Sequence, residues 1–361
     1  MNAPVLPSLA CPDPATVDRR PLVTLVLPCF NEAAVLRAHY AEISAYLATL
    51  RETWRFEVLL IDDGSVDATG TTAEAMATTD APLRVIHHPG NFGLGQAFKT
   101  AFAASRGDYV VTLDIDLSYA PAHIGRLLEA IRTQRAKLAL ASAYMEGGTV
   151  SNVPWLRRTL SVWGNRFLRM FARGGLSTLT CMVRAYDGPF VRALVLRSTG
   201  MEIMPEIIYK TMVMRGRIVE VPAELDWSRQ MQAGPARVSS MRIWRHVLST
   251  IVSGFMLRPF ALMMAPGMAL LALCAWLTGR TVWRVAEALP AAGGSVSAAL
   301  GAVLATHPHA PLACATTGIL AVLLLGLGLV ALQTKRYFED LYHLGVTLRA
   351  ASLGEIRRDP K

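Results

Sequence analysis

With 361 residues, the chain has room for one large domain with appendages, or for two domains. Hydrophobic residues make up 52% and mean hydropathy is +0.34; this excess sits in the C-terminal third and points away from a wholly soluble protein, toward a membrane protein with a soluble front. The net charge of +9 does not indicate nucleic acid, because the basic residues are spread out and gather near apolar segments, where anionic lipid is the fitting partner. Five cysteines show no paired spacing and no Cys/His metal pattern, which agrees with a reducing compartment.

In chain order, residues 1–20 are rich in Pro and Ala, lack an apolar core after a basic start, and read as a flexible tail instead of a secretory signal. Leu22 to Pro28 is a buried strand stopped by proline, followed by Cys29, Phe30, Asn31 and Glu32 and a helical pattern to about Leu50. Phe56 to Ile61 is a second strand, ending in Asp62-Asp63-Gly64-Ser65-Val66-Asp67, where carboxylates could accept from a base or ribose or simply cap a helix. Leu83 to Ile86 is a third strand. It leads into a glycine-rich loop, His87 to Ala97, whose Gly93 and Gly95 fit a dinucleotide fingerprint poorly because they do not open the first βαβ unit. The fourth apolar run, Tyr109 to Leu113, ends in Asp114-Ile115-Asp116, and a helix from about Pro121 to Arg135 follows. Repeated β-α units with acids after strand ends predict an α/β domain with a mostly parallel sheet, ligands gathering at the strands' carboxyl ends. Taken alone, the Asp114 and Asp116 pair is equally a turn with two solvated acids or a site for a hard divalent ion on a diphosphate.

Together, Pro28-Cys29-Phe30-Asn31-Glu32, Ile61 to Asp67, Asn91-x-Gly93 and Asp114-x-Asp116 resemble the inverting family 2 glycosyltransferases of GT-A fold. Within them, the chain looks like the polyprenol-phosphate glycosyltransferases of the dolichol-phosphate mannose synthase type, over roughly residues 20 to 350. The resemblance implies that Pro28, Asn31, Glu32, Asp62 and Asp63 hold the base and ribose of a UDP- or GDP-sugar. It also implies that Asp114 and Asp116 hold Mg2+ or Mn2+ on its diphosphate. Ser118 stands where many relatives carry a metal-contacting Gln and is itself a cofactor-binding candidate, its hydroxyl or a water substituting; Ala143 stands where many have a phosphate-binding Arg, and Thr178 where an acid is common. The missing positive charge would come from downstream, from Arg157, Arg158, Arg166, Arg184, Arg229, Arg237 or Arg242. Arg229 is the favoured phosphate-gripping residue, since a guanidinium fork binds two oxygens and never deprotonates; attraction to lipid headgroups is the plainer alternative. Ser161 to Arg169 resembles the family's acceptor-facing helix. Glu206 matches a family acid and is the further catalytic candidate beside Asp116 and Arg229, the alternative being a surface helix acid.

From Ser239 to about Leu257, apolar residues recur at helical spacing opposite Arg242, Arg245 and His246, as in an interfacial helix. Two apolar segments, about Phe260 to Leu277 and Leu312 to Leu332, are each near the ~20 residues that span a bilayer. The expected division is a tail (1–20), a GT-A domain (21–237), an interfacial helix (238–258), a two-span membrane domain (259–334) and a basic tail (335–361). Lys335, Arg336, Arg349, Arg357 and Arg358 assign the catalytic domain to the cytoplasmic face of the inner membrane. The predicted activity is transfer of a sugar from a nucleotide-sugar to a polyprenyl phosphate, with membrane lipids as partners, no nucleic acid, and oligomeric state open. A catalytically weak scaffold of the same fold and a polysaccharide synthase are the alternatives; Arg242 to His246 only approaches the synthase's Gln/Arg-x-x-Arg-Trp motif.

Overall fold

The computed structural model describes residues 18–80, 82–153, 176–228 and 259–352, with the single positions 155, 159 and 162. Arg229, Arg157, Arg158, Arg166, Arg237, Arg242, most of the acceptor-helix segment and the interfacial-helix segment lie outside the described residues.

Strand and helix alternate through the front of the chain: β1 Leu22–Cys29, α1 Ala33–Thr49, β2 Arg55–Asp62, α2 Thr69–Ala77, β3 Leu83–His87, α3 Leu94–Ala104, β4 Tyr109–Thr112, α4 Ala122–Thr133 and β5 Leu138–Ser142. β1 lies between β2 and β4, parallel to both, and β3 extends the same sheet beyond β2. Because side chains alternate across a strand, Val23, Leu25 and Leu27 of β1 enter a core shared with Leu36 and Ile43 of α1 and Leu127 and Ile131 of α4. Val26 points the other way, into a core with Phe98 and Phe102 of α3. Helices thus cover both faces, which explains why the strands read as continuous apolar runs.

Beyond β5 come β6 Thr149–Ser151, β7 Arg184–Asp187, α5 Gly188–Ala193, α6 Ile203–Val213, β8 Ile218–Pro222 and β9 Glu224–Asp226. The main sheet has the order β3-β2-β1-β4-β7-β5-β8, and β6 pairs with β9 in a small second sheet. β7 is antiparallel to both β4 and β5, an insertion the sequence pattern does not announce because the strand is only 4 residues long. The chain winds outward from β1 through β2 to β3, then returns to the other side of β1 as β4. The crevice between β1 and β4 is therefore a topological switch point, where open α/β sheets bind ligands.

Arg184, a candidate phosphate ligand by sequence, has a different role. It is fully buried, and its guanidinium donates to the carbonyls of Cys181 (2.7 Å), Met204 (2.9 Å) and Leu179 (2.8 Å), tying β7 to α6.

Three apolar helices follow: α7 Pro259–Ala288, α8 Val296–Thr306 and α9 Ala310–Ser352. α7 and α9 are long and apolar enough to cross a membrane. They pack closely through small residues, a common device between membrane helices: a Cβ on Gly267 would meet Leu325 at 3.0 Å, and one on Gly328 would meet Met264 at 3.0 Å. At 43 residues, α9 is about 65 Å long, twice the ~30 Å of a hydrocarbon core. The segment from Lys335, expected as a basic tail, is helical to Ser352, supported by a Lys335–Glu339 pair at 3.6 Å. Its end buries Tyr342 and Val346 against Ala193 of the α/β domain.

Arg184→Met removes the guanidinium's hydrogen bonds to three buried carbonyls and is expected to cost about 3 kcal/mol. The check is the thermal unfolding midpoint of the detergent-solubilised chain, which should fall by several degrees.

Candidate active site

Between the ends of β1 and β4 lies a cavity of about 480 Å³, lined by Pro28, Phe30, Asp63, Asp114, Asp116, Ser118 and Tyr119 among others. Among the described residues its lining has three carboxylates and no Lys or Arg. Asp114 is carried there by the continuation of β4, where Leu113 N still donates to Val26 O at 3.1 Å. Leu117 then adopts a left-handed turn (φ 52°), letting Ser118 fold back so that its N–H (2.9 Å) and hydroxyl (2.7 Å) both donate to Asp116 Oδ1. Ser118 thus orients one of the paired acids, and it also lines the cavity.

Glu32 reaches the same crevice from the N-terminus of α1, where its carboxylate makes no capping hydrogen bond. Burial, then repulsion by Asp116 and Asp67, pushes its carboxyl up to about 7. Burial, then the charges of Asp116 and Glu32, raises Asp114 well above the usual carboxylate range. Glu32 and Asp114 are thus oxygen donors held above their ordinary range first by burial and then by the charge of Asp116. Among the described residues, no group of three or more His, Cys, Asp or Glu side chains has closed into a ready metal cage.

Asn31 and Asp62 support this arrangement from outside the cavity. Asn31 takes a left-handed conformation (φ 57°), which Asn tolerates; its N–H donates to Ser65 Oγ (3.0 Å) and its Oδ1 accepts from Val66 N (2.9 Å). Asp62 accepts from Ser65 N (3.0 Å) and pairs with His87 Nδ1 (2.9 Å). Against burial, which would raise it, the hydrogen bonds from Ser65 and His87 hold Asp62 below the usual carboxylate range. Of the two adjacent aspartates, Asp63 is the one that lines the cavity. Its oxygens accept from Phe92 N (3.1 Å), Gly93 N (2.8 Å) and His88 Nδ1 (2.7 Å). His88, whose Nε2 is 2.9 Å from Thr100 Oγ1, is a site residue the sequence reading missed; its placement just past β3, opposite the end of β2, was the available signal.

Glu206 does not line the cavity. It is buried, accepts from the amides of Arg197 (2.9 Å) and Ser198 (2.8 Å), and forms an ion pair with Lys210. Burial would raise its carboxyl, but hydrogen bonds from Lys210 and Ser198 hold it low. A carboxylate so fully engaged positions a loop, and a direct catalytic role is not supported by its location. The loop explains the glycines as well. Gly95 N (2.7 Å) and Gln96 N (3.3 Å) donate to Thr199 O, and a Cβ on Gly95 would lie 2.6 Å from Ser198 O. The first turn of α3 is capped by the chain itself, so the glycines serve close backbone approach and the dinucleotide alternative loses its anion site.

The glycosyl transferase family 2 model matches residues 24–187. Polyprenol monophosphomannose synthase of Mycolicibacterium smegmatis is 32% identical over 222 residues, covering 58% of this chain and 79% of the relative. Undecaprenyl-phosphate mannosyltransferase of Micrococcus luteus is 33% identical over 207 residues, covering 55% of this chain and 82% of the relative. The chain belongs to glycosyl transferase family 2. The family 2 segment contains Glu32, Asp63, Asp114 and Asp116 and stops before Val195. Among solved structures, the chain is similar to mannosyl-3-phosphoglycerate synthase from Rubrobacter xylanophilus, with a TM-score of 0.48 and 18% identity over 64% of this chain and 72% of that one. The α/β domain of this family 2 chain is GT-A in type, with β1 and β4 framing the site.

The raised carboxyl of Glu32 has a consequence for stability. Between its ordinary 4.5 and its folded value near 7, the folded state keeps a proton that the unfolded state releases, so stability falls as pH rises through that window. In metal-free buffer, Glu32→Gln should therefore flatten the decline of the unfolding midpoint from pH 4.5 to 7 and gain roughly a few degrees over wild type above it.

Proposed function

We propose that this family 2 chain transfers a sugar from a nucleotide-sugar to a polyprenyl phosphate at a membrane surface, inverting the anomeric carbon. The observation that carries this reading is the acid set Glu32, Asp114 and Asp116 at the β1/β4 crevice of a domain bound to two membrane-length helices. The two relatives named above, a polyprenol monophosphomannose synthase and an undecaprenyl-phosphate mannosyltransferase, support it.

The acid set fits a hard divalent cation, because Asp114 and Glu32 are strained toward protonation for want of positive charge. Asp114 and Asp116, with Glu32 beside them, would hold Mg2+ or Mn2+; bound there, the ion supplies Lewis-acid stabilisation to a leaving nucleoside diphosphate. Ser118 keeps Asp116 in one orientation. Pro28, Phe30 and Asp63 form the wall against which the base and ribose are placed. In the reaction, the bond from the anomeric carbon to the diphosphate oxygen breaks, and one to an acceptor phosphate oxygen forms on the opposite face. That oxygen is already ionised at neutral pH, so no general base is required. Arg229, which follows the described Ser228, remains our candidate for gripping a phosphate.

The charge pattern favours a cytoplasmic catalytic domain, since α9 leaves its apolar stretch at Lys335 and Arg336. A nucleotide-sugar and a polyprenyl phosphate headgroup meet on that side of an inner membrane, and holding both turns a two-body encounter into a positioned one.

The test uses membranes containing the chain, Mn2+, undecaprenyl phosphate and labelled UDP-glucose or GDP-mannose. A lipid-linked sugar should form with at least one donor, and Asp116→Ala should lower the rate by about 10²–10³-fold. Full transfer by Asp116→Ala would contradict the assignment.

A further inference from the structure

From Val195 to Met201 the chain lies outside any helix or strand and touches the long apolar helix at one end and the cavity at the other. At Val195, the N–H donates to Tyr342 Oη (3.1 Å), and Tyr342 Oη donates to the carbonyl (3.3 Å), which also accepts from Lys210 Nζ. Next, the amides of Arg197 and Ser198 are held by Glu206. Thr199 O then caps α3, and Met201 lines the cavity. The turn entering α3 holds Asp63 through Phe92 N and Gly93 N. A continuous series of hydrogen bonds therefore leads from α9 to the cavity wall.

The α9 end of that series is firmly seated. Tyr342 is buried, Lys210 Nζ lies 5.0 Å above its ring, and Tyr209 meets both Glu339 (3.3 Å) and Lys335 (5.2 Å to the ring). Tyr342 sits about two turns past Lys335 on a helix unbroken from its apolar stretch. Whatever fixes that stretch in a bilayer also fixes Tyr342.

We propose that Tyr342 is a positioning residue for donor binding: the emerging end of α9 sets the Val195–Met201 segment, and through Thr199 and Asp63 it sets the cavity wall. The inference rests on the reading of the cavity as a nucleotide-sugar site. Coupling of this kind is reciprocal, so a bound donor must also tighten the seat of α9.

The full chain in phosphatidylglycerol-containing nanodiscs is titrated with UDP-glucose and with GDP-mannose, each with Mn2+, and amide hydrogen exchange is followed with and without the donor that binds. Tyr342→Phe keeps the ring and removes the hydroxyl; Leu344→Ala, on an exposed side of α9, is the control. Tyr342→Phe should raise the Kd about threefold to tenfold and speed exchange at 195–201 and in the first turn of α3, leaving β1 and β2 unchanged. Leu344→Ala should do neither, and donor should slow exchange around Tyr342 in the wild type. Unchanged Kd and exchange in Tyr342→Phe would overturn the inference alone, as would faster exchange throughout β1 and β2, which marks general destabilisation. A wild type that binds neither donor would overturn the nucleotide-sugar reading and this inference with it.

Discussion

Glu32 and Asp114 are buried beside Asp116 in one crevice, and burial, with the charges around them, holds both carboxyls above their ordinary range; this is the constraint around which the site is built. Water that would screen charge is partly excluded there, so Glu32 and Asp114 are harder to ionise. The fold tolerates this because the backbone leaves no easier arrangement. β1 and β4 are adjacent and parallel, so the residues just past their ends must meet. Left-handed turns at Asn31 and Leu117 then fix the directions in which the chain departs. On the proposed reading, a cation bound there would recover the stability that burial and nearby charge cost these acids.

The same constraint explains the burden carried by neighbouring residues. Ser118 directs two donors at Asp116, and Asp63 is held by three more. On the proposed reading, acids held rigidly in this way would take a compact divalent ion and its attached diphosphate. Catalysis of this kind depends on donors that do not reorganise during reaction.

Much of this was legible in the sequence. An apolar β-type run stopped by Asp114-x-Asp116, together with acids past two earlier strands, located the crevice before any coordinates, because strand ends are where parallel sheets bind ligands. What local pattern cannot decide is which of two adjacent acids faces the cavity: Asp63 does and Asp62 does not, a difference set by which carboxylate the His87 and His88 rings claim. Glu206 was a reasonable candidate by motif, yet its carboxylate is spent on Lys210 and two amides. The long-range elements were the least readable. β7 is short and antiparallel, and the α9 extension past Lys335 carries charges that suit a solvated tail as well as a helix. The packing of Tyr342 and Val346 on Ala193, with the hydrogen bonds of Tyr342 to Val195, distinguishes the two. In both cases the deciding contacts come from residues far away in the chain.

Proton release on binding tests the central claim most directly. If Glu32 and Asp114 are protonated in the free chain, binding Mn2+ with a nucleotide must expel protons. Titration calorimetry at pH 6.5 in buffers of different ionisation enthalpy should show net proton release on binding Mn2+–nucleotide, and a smaller release in Glu32→Gln, where Asp114 alone is left to lose a proton. Binding without proton release in the wild type would contradict the account.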